Sequence, residues 1–337
     1  MSRRSNVGGG DWRRDALFIV ISIAVIMATI VILIKSGLAK ARYEQPRYPL
    51  YLIISEVIYL IQLFLIGVRL SIIFNRGMGY KVGTTELIKI AAAQTFTSLL
   101  VPGFYIGGEA VSIAYLTSRG LPTARATEGI VLRYTIDTIT LASILIALYL
   151  LNLVVVPYIA LIMALILLMA YVVLFITIIS ARLGRYIEGF LRFISSRVKF
   201  VGNFILINEG EIYGLNLSLT DYVILYLLST IQWLLSGLNV TLIFYAFGIY
   251  ISPLTGILIS SSYIVLTYVS LLPGSAGIGE LANLYILDIL GLGNYYLAYD
   301  IWFRIITYVV PLIILMPAFL SVSRELTMID INRRSPR

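Results

Sequence analysis

Two glycine-rich stretches interrupt apolar sequence at matching places, VPGFYIGGEA at residues 101–110 and LPGSAGIGEL at residues 272–281. Pro102 aligns with Pro273 at an offset of 171 residues (273 − 102 = 171), and the same offset relates Glu109 to Glu280. It also relates Gly103 to Gly274, Gly108 to Gly279, Gly120 to Gly291 and Arg133 to Arg304. A series of matches at one offset, without a gap, predicts an internal duplication.

The composition predicts a polytopic membrane protein. Of the 337 residues, 60% are hydrophobic and 12% are charged, whereas soluble domains are about 45–50% apolar and about 25% charged. The chain has no Cys and no His, which excludes disulfides, thiol catalysis and Cys/His zinc sites. The net charge of +8 is typical of Lys and Arg on the cytoplasmic side of a membrane, and no nucleic-acid partner is expected.

Long apolar segments predict the transmembrane helices. A helix needs about 20 apolar residues to cross a bilayer. About six segments meet that length: 16–38, 48–74, 124–150, 155–180, 219–246 and 295–322. Residues 85–118 and 254–291 are apolar but broken by Pro-Gly. Each predicts a re-entrant hairpin whose second helix is too short to cross.

The order of these segments predicts two inverted repeats. Repeat 1 spans residues 48–150 and repeat 2 spans residues 219–322, each with a span, a hairpin and a second span. The single connecting span at 155–180 reverses the orientation of the second repeat. The predicted fold is therefore an all-α polytopic membrane protein with inverted-topology repeats. Such repeats with broken helices are typical of secondary transporters, which bind substrate where the breaks meet.

Basic segments predict the orientation. The tail at 1–15, the mixed polar and apolar loop at 181–218 and the tail at 323–337 are rich in arginine. The bias of Lys and Arg toward the cytoplasm predicts an integral plasma membrane protein with these segments, and both termini, on the cytoplasmic side. The loop reads as an amphipathic helix along the inner interface, or alternatively as a solvated linker.

The helix breaks predict an anion site. Pro102 and Pro273 stop the preceding helices, and glycines near each break allow the backbone to approach a ligand closely. These glycines are Gly103, Gly108, Gly274 and Gly279. A half-helix that begins inside the membrane presents free N–H groups and a positive dipole end, which favour an anion.

Two arginines are the main candidate ligands for that anion. Arg133 and Arg304 each lie nine residues into a predicted span, counted from opposite sides, at a depth of about 13 Å, near the midplane. A guanidinium at this depth suits a phosphate. The alternative is a structural ion pair, because Asp137 and Asp300 lie four residues away on the same helical faces. The aspartates would then orient the arginines.

The glutamates that open the second half-helices have three possible roles. Glu109 and Glu280 are predicted to pair with the arginines, to carry a proton during transport, or to settle the dipole of a half-helix. We predict no catalytic residues, no metal site and no cofactor, because the sequence contains no nucleotide-binding loop and no acidic metal cluster.

The motifs PGxxxGGE, YLxSRG and LRY, followed by LLPGxxGxGE and a last span with an arginine, resemble the flippase-like family. This family is also called the transmembrane region of lysylphosphatidylglycerol synthetase, and the resemblance covers roughly residues 16–322. It implies movement of a lipid between leaflets. It gives no support for aminoacyl transfer, because the sequence ends at Arg337 without a synthetase domain. Archaeal relatives are associated with glycosylation that uses polyprenyl-phosphate lipids, and the Ile- and Tyr-rich composition suits an archaeon.

The expected function is therefore a lipid flippase or transporter for a phosphate-bearing amphiphile, either a phospholipid or a polyprenyl-phosphate-linked lipid. The expected partner is a membrane lipid with an anionic head group. One alternative is a non-catalytic subunit or scaffold for a separate glycosyltransferase or lipid-modifying enzyme. The other is a membrane-embedded lipid transferase, which fits duplicated symmetric charges poorly.

Overall fold

The computed structural model describes residues 28, 31, 45–100, 108–179, 215–268, 270 and 275–334. This part of the chain is helical, without strands. The predicted tail at 1–15, almost all of the span at 16–38 and residues 181–214 of the basic loop lie outside the described residues, as do Pro102, Gly103, Pro273 and Gly274.

The first group of helices follows the predicted first repeat. Helix α1 is Leu50–Ser71 and continues as a π-helical turn, Ile72–Gly77. Helix α2 is Thr84–Leu100, α3 is Glu109–Ser118 and α4 is Thr123–Leu150. The predicted boundaries at 48–74, 85–118 and 124–150 agree with these helices to within a few residues.

A connecting helix and a second group follow. Helix α5 is Tyr158–Ile179, α6 is Leu219–Ala246, α7 is Pro253–Thr267 and α8 is Ile278–Ile289. A short 3-10 turn, Gly293–Tyr295, leads into α9, Tyr296–Arg304, and a π-helical turn, Ile305–Val309, leads into α10, Val310–Arg334. The wide turn precedes Pro311, whose ring would clash with the carbonyl of Thr307 in a regular helix.

Local sequence explains where the second group of helices begins. Ser218 and Asp221 form a reciprocal capping box at the start of α6, which satisfies N–H groups left free in the first turn. Ser252 accepts a hydrogen bond from the backbone N–H of Thr255 at the start of α7. Gly277 precedes α8 with a φ of 82°, a conformation that a side chain would strain.

Burial separates a central helix from a peripheral one. In the most apolar part of α4, 61% of the residues are buried, against 17% in α5. Helix α5 exposes large apolar side chains along its length, among them Ile162, Ile166 and Met169. Exposed apolar surface of this extent is what a lipid-facing helix presents. Helix α4 thus lies inside the bundle and α5 at its edge.

Five helical segments of the described chain are long and apolar enough to cross a membrane. They are Leu50–Gly77, Thr123–Leu150, Tyr158–Ile178, Leu219–Ala246 and Gly293–Leu326. The short helices differ, since α3 has 10 residues and α8 has 12. At about 1.5 Å per residue, neither reaches across the roughly 30 Å of hydrocarbon. The protein is therefore a membrane protein whose described part is all-helical.

The two groups of helices pack in the same sequence of pairs. Helix α1 contacts α2, α2 contacts α3 and α3 contacts α4, and the second group repeats this with α6, α7, α8 and α9. In both groups a glycine brings the first two helices close together. A Cβ on Gly67 would overlap Ile88, and a Cβ on Gly237 would overlap Ile257. Helices α1 and α6 join the groups, where Ser55 donates a hydrogen bond to the side-chain oxygen of Asn239.

Candidate functional site

Both predicted arginines line one cavity of about 290 Å³. Arg133 comes from α4, and Arg304 is the last residue of α9. Arg133 is only 4% exposed and Arg304 only 8% exposed. Charged groups this deeply buried in a membrane protein are costly and need either partners or a function. The two arginines that occupy equivalent positions in the repeated sequence therefore lie in the wall of the same cavity.

Arg133 has two carboxylate partners. Its Nη1 lies 3.0 Å from Asp137 Oδ2, and its Nη2 lies 3.5 Å from Glu109 Oε1. Gln94 holds the glutamate, because its Nε2 donates to Glu109 Oε1 over 2.9 Å. The arginine also lies over the ring of Tyr134, 3.9 Å from its centroid. These contacts fix the guanidinium between the start of α3 and the inner face of α4.

Arg69 belongs to the same network, although the sequence analysis did not identify it. This residue of α1 is 1% exposed. Its guanidinium forms an ion pair with Asp137 and donates a hydrogen bond to Gln232 of α6. Ser229 donates to the same Asp137 oxygen over 2.7 Å. Asp137 thus joins three helices, α1, α4 and α6.

A second repeated pattern was available to find this residue. The stretch QLFLIGVR at 62–69 and the stretch QWLLSGLN at 232–239 share Gln, Gly and a polar final residue at an offset of 170 (232 − 62 = 170). Gln62 and Gln232 both line the cavity, as does Asn239, which corresponds to Arg69. A search for offsets near 171, rather than 171 alone, would have identified α1 and α6 as contributors.

Glu280 pairs with the other arginine. Its Oε1 lies 2.5 Å from Arg304 Nη2, and its Oε2 accepts a hydrogen bond from the backbone N–H of Gly277 over 2.6 Å. The carboxylate therefore serves the half-helix end and the arginine at once. This geometry is compatible with two of the roles predicted for Glu280, which are pairing with Arg304 and stabilising the positive dipole end of α8.

Asp300, predicted to orient Arg304, makes its described hydrogen bond elsewhere. Its Oδ1 accepts from Asn283 Nδ2 over 2.7 Å, which ties α9 to α8. Asp300 is fully buried, at 0% exposure. Asp137, by contrast, contacts Arg133 directly. The two predicted orienting aspartates therefore have different surroundings.

Of the four glycines predicted to let the backbone approach a ligand, the two that the structure describes, Gly108 and Gly279, serve close packing. A Cβ on Gly108 would overlap the backbone carbonyl oxygen of Gln94. A Cβ on Gly279 would overlap Arg304 Nη2 and lie 2.8 Å from the hydroxyl of Tyr263. Gly279 thus makes room for the guanidinium, whereas Gly108 makes room for α2.

The rest of the cavity wall combines aromatic rings with amides and hydroxyls. Examples are Tyr59, Trp233, Tyr263, Phe303, Gln62 and Ser260. Such a wall suits an amphiphilic ligand better than a purely apolar ligand, because hydrogen-bond donors and acceptors are distributed among its apolar faces. No group of three or more acidic, His or Cys side chains in the described part of the chain is arranged to hold a metal ion.

Comparison with known proteins places these features in a family. No curated protein matches the sequence. The sequence profile of the lysylphosphatidylglycerol synthase transmembrane region matches residues 17–314, a range that includes both arginines, both glutamates and every helix up to the start of α10. The protein therefore belongs to the family of the lysylphosphatidylglycerol synthase transmembrane region.

Proposed function

We propose that this protein is a lipid flippase that moves a phosphate-bearing amphiphile between the two leaflets of the membrane. The observation that carries the proposal is the cavity shared by Arg133 and Arg304. A phosphate bound between two guanidinium groups would have charge-assisted hydrogen bonds from both. The apolar tails would stay in the bilayer beside the bundle.

The two groups of helices form inverted repeats in this proposal. Support comes from the repeated order of helix contacts, the glycine contacts at Gly67 and Gly237, and the short helices α3 and α8. Each short helix belongs to a hairpin that enters and leaves the membrane on the same side. Because the repeats are inverted in this proposal, the two hairpins enter from opposite faces. Opposite tilts of the two repeats would then expose the cavity to one leaflet and afterwards to the other.

In this proposal the protein binds and moves its lipid without making or breaking bonds in it. The cavity places its charged groups in pairs, each arginine against at least one carboxylate. Such pairs suit reversible binding of an anion, which replaces the carboxylate as partner of the guanidinium. A separate glycosyltransferase or lipid-modifying enzyme would supply the chemistry.

Reconstitution into vesicles tests the proposal. We would use phosphatidylcholine vesicles that carry either fluorescent phosphatidylglycerol or a fluorescent polyprenyl phosphate, with dithionite to quench label in the outer leaflet. Wild-type protein should make the inner-leaflet label of at least one probe accessible. The Arg133→Gln/Arg304→Gln variant should lose this activity while it elutes as a folded protein. Arg76→Gln is the control, because Arg76 is exposed and its ion pair with Asp221 does not involve the cavity residues.

Two outcomes would reject the function, and a third would reject its site. Full transport in the double variant would leave the flippase function in place but remove the arginines from the site. No transport of either probe by the wild type would favour the scaffold alternative, particularly if the protein co-purifies with a glycosyltransferase. A change in the mass of the lipid after incubation with the purified protein would favour a transferase.

A further inference from the structure

The cavity is larger than a phosphate group needs. Its volume is about 290 Å³, whereas a water molecule, with one heavy atom, takes about 30 Å³ of liquid. At that rate the five heavy atoms of a phosphate take about 150 Å³. A phosphate held by the arginines therefore leaves roughly half of the cavity for another part of the head group.

Helix α6 gives the cavity a face of uncharged polar side chains. Gln232, Ser236 and Asn239 all line the cavity, and their spacing of four and three residues places them on one side of the helix. The stretch from the first to the last of them covers about 10 Å along the helix axis. Trp233 lines the cavity beside them. This face offers hydrogen bonds without a formal charge.

Bonds within the protein determine which end of each amide meets the cavity. Gln232 Oε1 accepts from the guanidinium of Arg69, which has only donors, and Asn239 Oδ1 accepts from the hydroxyl of Ser55. Neither amide nitrogen has a hydrogen-bond partner in the described part of the chain, and neither belongs to its fully enclosed polar atoms. Since Gln232 is 9% exposed and Asn239 5% exposed, the space open to these N–H groups is the cavity.

Helix α1 supplies a third amide. Gln62 corresponds to Gln232 in the repeated sequence, at the offset of 170 (232 − 62 = 170), and it lines the same cavity. It makes no hydrogen bond with any residue that the structure describes. The cavity therefore has three amides whose N–H donors are available to a ligand, in addition to its arginines.

The ligand of these amides has to accept hydrogen bonds and to be uncharged. A second anion is disfavoured, because Asp137 binds the same guanidinium of Arg69 as Gln232 does, and its carboxylate would repel the anion. An ammonium group is disfavoured too, since the N–H groups of Gln232 and Asn239 offer it no lone pair. A hydroxyl group accepts hydrogen bonds without a charge, and the ring of Trp233 gives the C–H groups of a polyol an apolar surface.

We propose that Gln62, Gln232 and Asn239 bind the hydroxyl groups of a polyol, so that the transported lipid carries a glycerol-like or sugar-like group on its phosphate. The inference rests on the proposed flippase function, because the arginines have to hold the phosphate for the amides to reach the group beyond it. The arginines then recognise the charge that anionic phospholipids share, and the amides select among these lipids.

Native mass spectrometry of the purified protein in detergent micelles measures this selection. Three dioleoyl lipids compete at equal concentration, namely phosphatidylglycerol, phosphatidylinositol and phosphatidylpropanol. Phosphatidylpropanol has the charge and the ester groups of phosphatidylglycerol but lacks its two hydroxyl groups. Wild-type protein should retain at least one of the two polyol lipids about tenfold better than phosphatidylpropanol, as expected for two or more uncharged hydrogen bonds. The better retained lipid shows whether the polyol is linear or cyclic.

Two variants test the amides through this ratio. Gln62→Met keeps the length of the side chain and breaks no hydrogen bond in the described part of the chain. It should lower the ratio about threefold to tenfold, the effect of one uncharged hydrogen bond. Asn239→Leu should do the same when it is made together with Ser55→Ala, so that no buried hydroxyl loses its acceptor, and is compared with Ser55→Ala alone. Gln45→Met is the control, because Gln45 is exposed and lies outside the cavity wall.

The polyol site and the phosphate site fail in different ways. Equal retention of the three lipids by the wild type, or an unchanged ratio in either amide variant, would overturn the polyol site. Failure of the phosphate site would show as full retention of all three lipids by the Arg133→Gln/Arg304→Gln variant. Retention of none of the lipids by the wild type would overturn both sites.

Discussion

At the scale of single residues, the position of Arg304 depends on a glycine that has no side chain to obstruct it. The guanidinium occupies the space where a Cβ on Gly279 would lie. The neighbouring atoms belong to the flexible end of Arg304 and to the Tyr263 hydroxyl, so they are able to move aside. A small side chain at residue 279 is therefore expected to displace the arginine without unfolding the protein.

Gly279→Ala should accordingly lower lipid transport by about tenfold or more, since a lost charged hydrogen bond costs about 1.5–3 kcal/mol. The thermal midpoint should change little. For Gly108→Ala we expect a loss of stability instead, because the added Cβ would overlap the backbone of α2 at Gln94. Overpacking of this kind costs about 1–3 kcal/mol of stability. Gly83→Ala is the control, since its nearest atom is 3.8 Å away. Equal effects of the two motif variants on stability would contradict this interpretation.

Arg69 should matter for stability through its partner. Removing one member of a buried ion pair costs about 3–5 kcal/mol, because the other charge is left without compensation. Arg69→Gln should therefore destabilise the protein strongly in thermal unfolding. The Arg69→Gln/Asp137→Asn variant should lose much less than the sum of the two single losses, because both charges are gone. Additive losses would show that the two residues act independently.

The sequence predicted some of these residues and missed others for a physical reason. Arg133 and Arg304 are identifiable because the duplication repeats them at one offset. Arg69 has no repeated arginine, and its partners Asp137 and Gln232 lie 68 and 163 residues away along the chain. Its local sequence reads as an ordinary apolar span with one charge. Only the packing of α1 against α4 and α6 shows what that charge contacts.

At the scale of helices, a polar cluster fastens the first hairpin to the last helix. Glu325 of α10 forms ion pairs with Lys89 of α2, over 2.7 Å, and with Arg119 at the end of α3, over 2.8 Å. Tyr115 of α3 donates to the same carboxylate over 2.6 Å. The stacked rings of Phe96 and Phe319 extend this contact between α2 and α10. Movement of the hairpin away from α10 would have to break these bonds.

Glu325→Gln should therefore loosen this side of the molecule. The native sequence has no cysteine, so Thr95→Cys places a single thiol in the wall of the cavity. A water-soluble maleimide should label it about tenfold faster in the Glu325→Gln variant, the effect expected from losing about 1.4 kcal/mol of closing energy. Arg76→Gln, which breaks an ion pair outside the cluster, should leave the rate unchanged. An unchanged rate in Glu325→Gln would mean that the cluster does not limit access.

Helix ends were predictable where residues define them, and not elsewhere. The breaks between α2 and α3 and between α7 and α8 follow from Pro-Gly, which no regular helix accommodates. The end of α10 was not predictable from hydropathy. The apolar segment was predicted to end at 322, but the helix continues to Arg334. Beyond Pro317 the sequence contains neither Gly nor Pro up to that residue, so nothing stops the helix when it becomes polar.

At the scale of the whole molecule, each group of helices has its own hydrophobic core. One core, around Phe244, Tyr299 and Ile286, is built almost entirely from α6 to α9. Another, around Phe74, Leu87 and Tyr115, is built mainly from α1 to α4. Buried polar side chains also lie between the groups, where Asp137 and Gln232 connect α4, α1 and α6. Apolar packing joins the groups as well, because a further core combines Leu141 of α4 with Leu258 of α7. If the proposed transport moves one group against the other, this apolar contact has to rearrange together with the polar one.

The proposed inversion of the repeats also predicts which side of the membrane each short helix faces. Ser118 ends α3 of the first group, and Asn294 follows α8 of the second. If the groups are inverted, single cysteines at these two positions must react from opposite sides of the membrane. The absence of native cysteine makes the labelling unambiguous, so an impermeant maleimide applied to intact cells should modify one variant and not the other until the cells are opened.

A third variant, Asn152→Cys, lies in the turn between α4 and α5. It should share the side of Asn294, because a full crossing by α4 separates it from Ser118. Labelling of Ser118→Cys and Asn294→Cys from the same side would make the repeats parallel, and rocking of two inverted bodies would no longer explain how a lipid crosses.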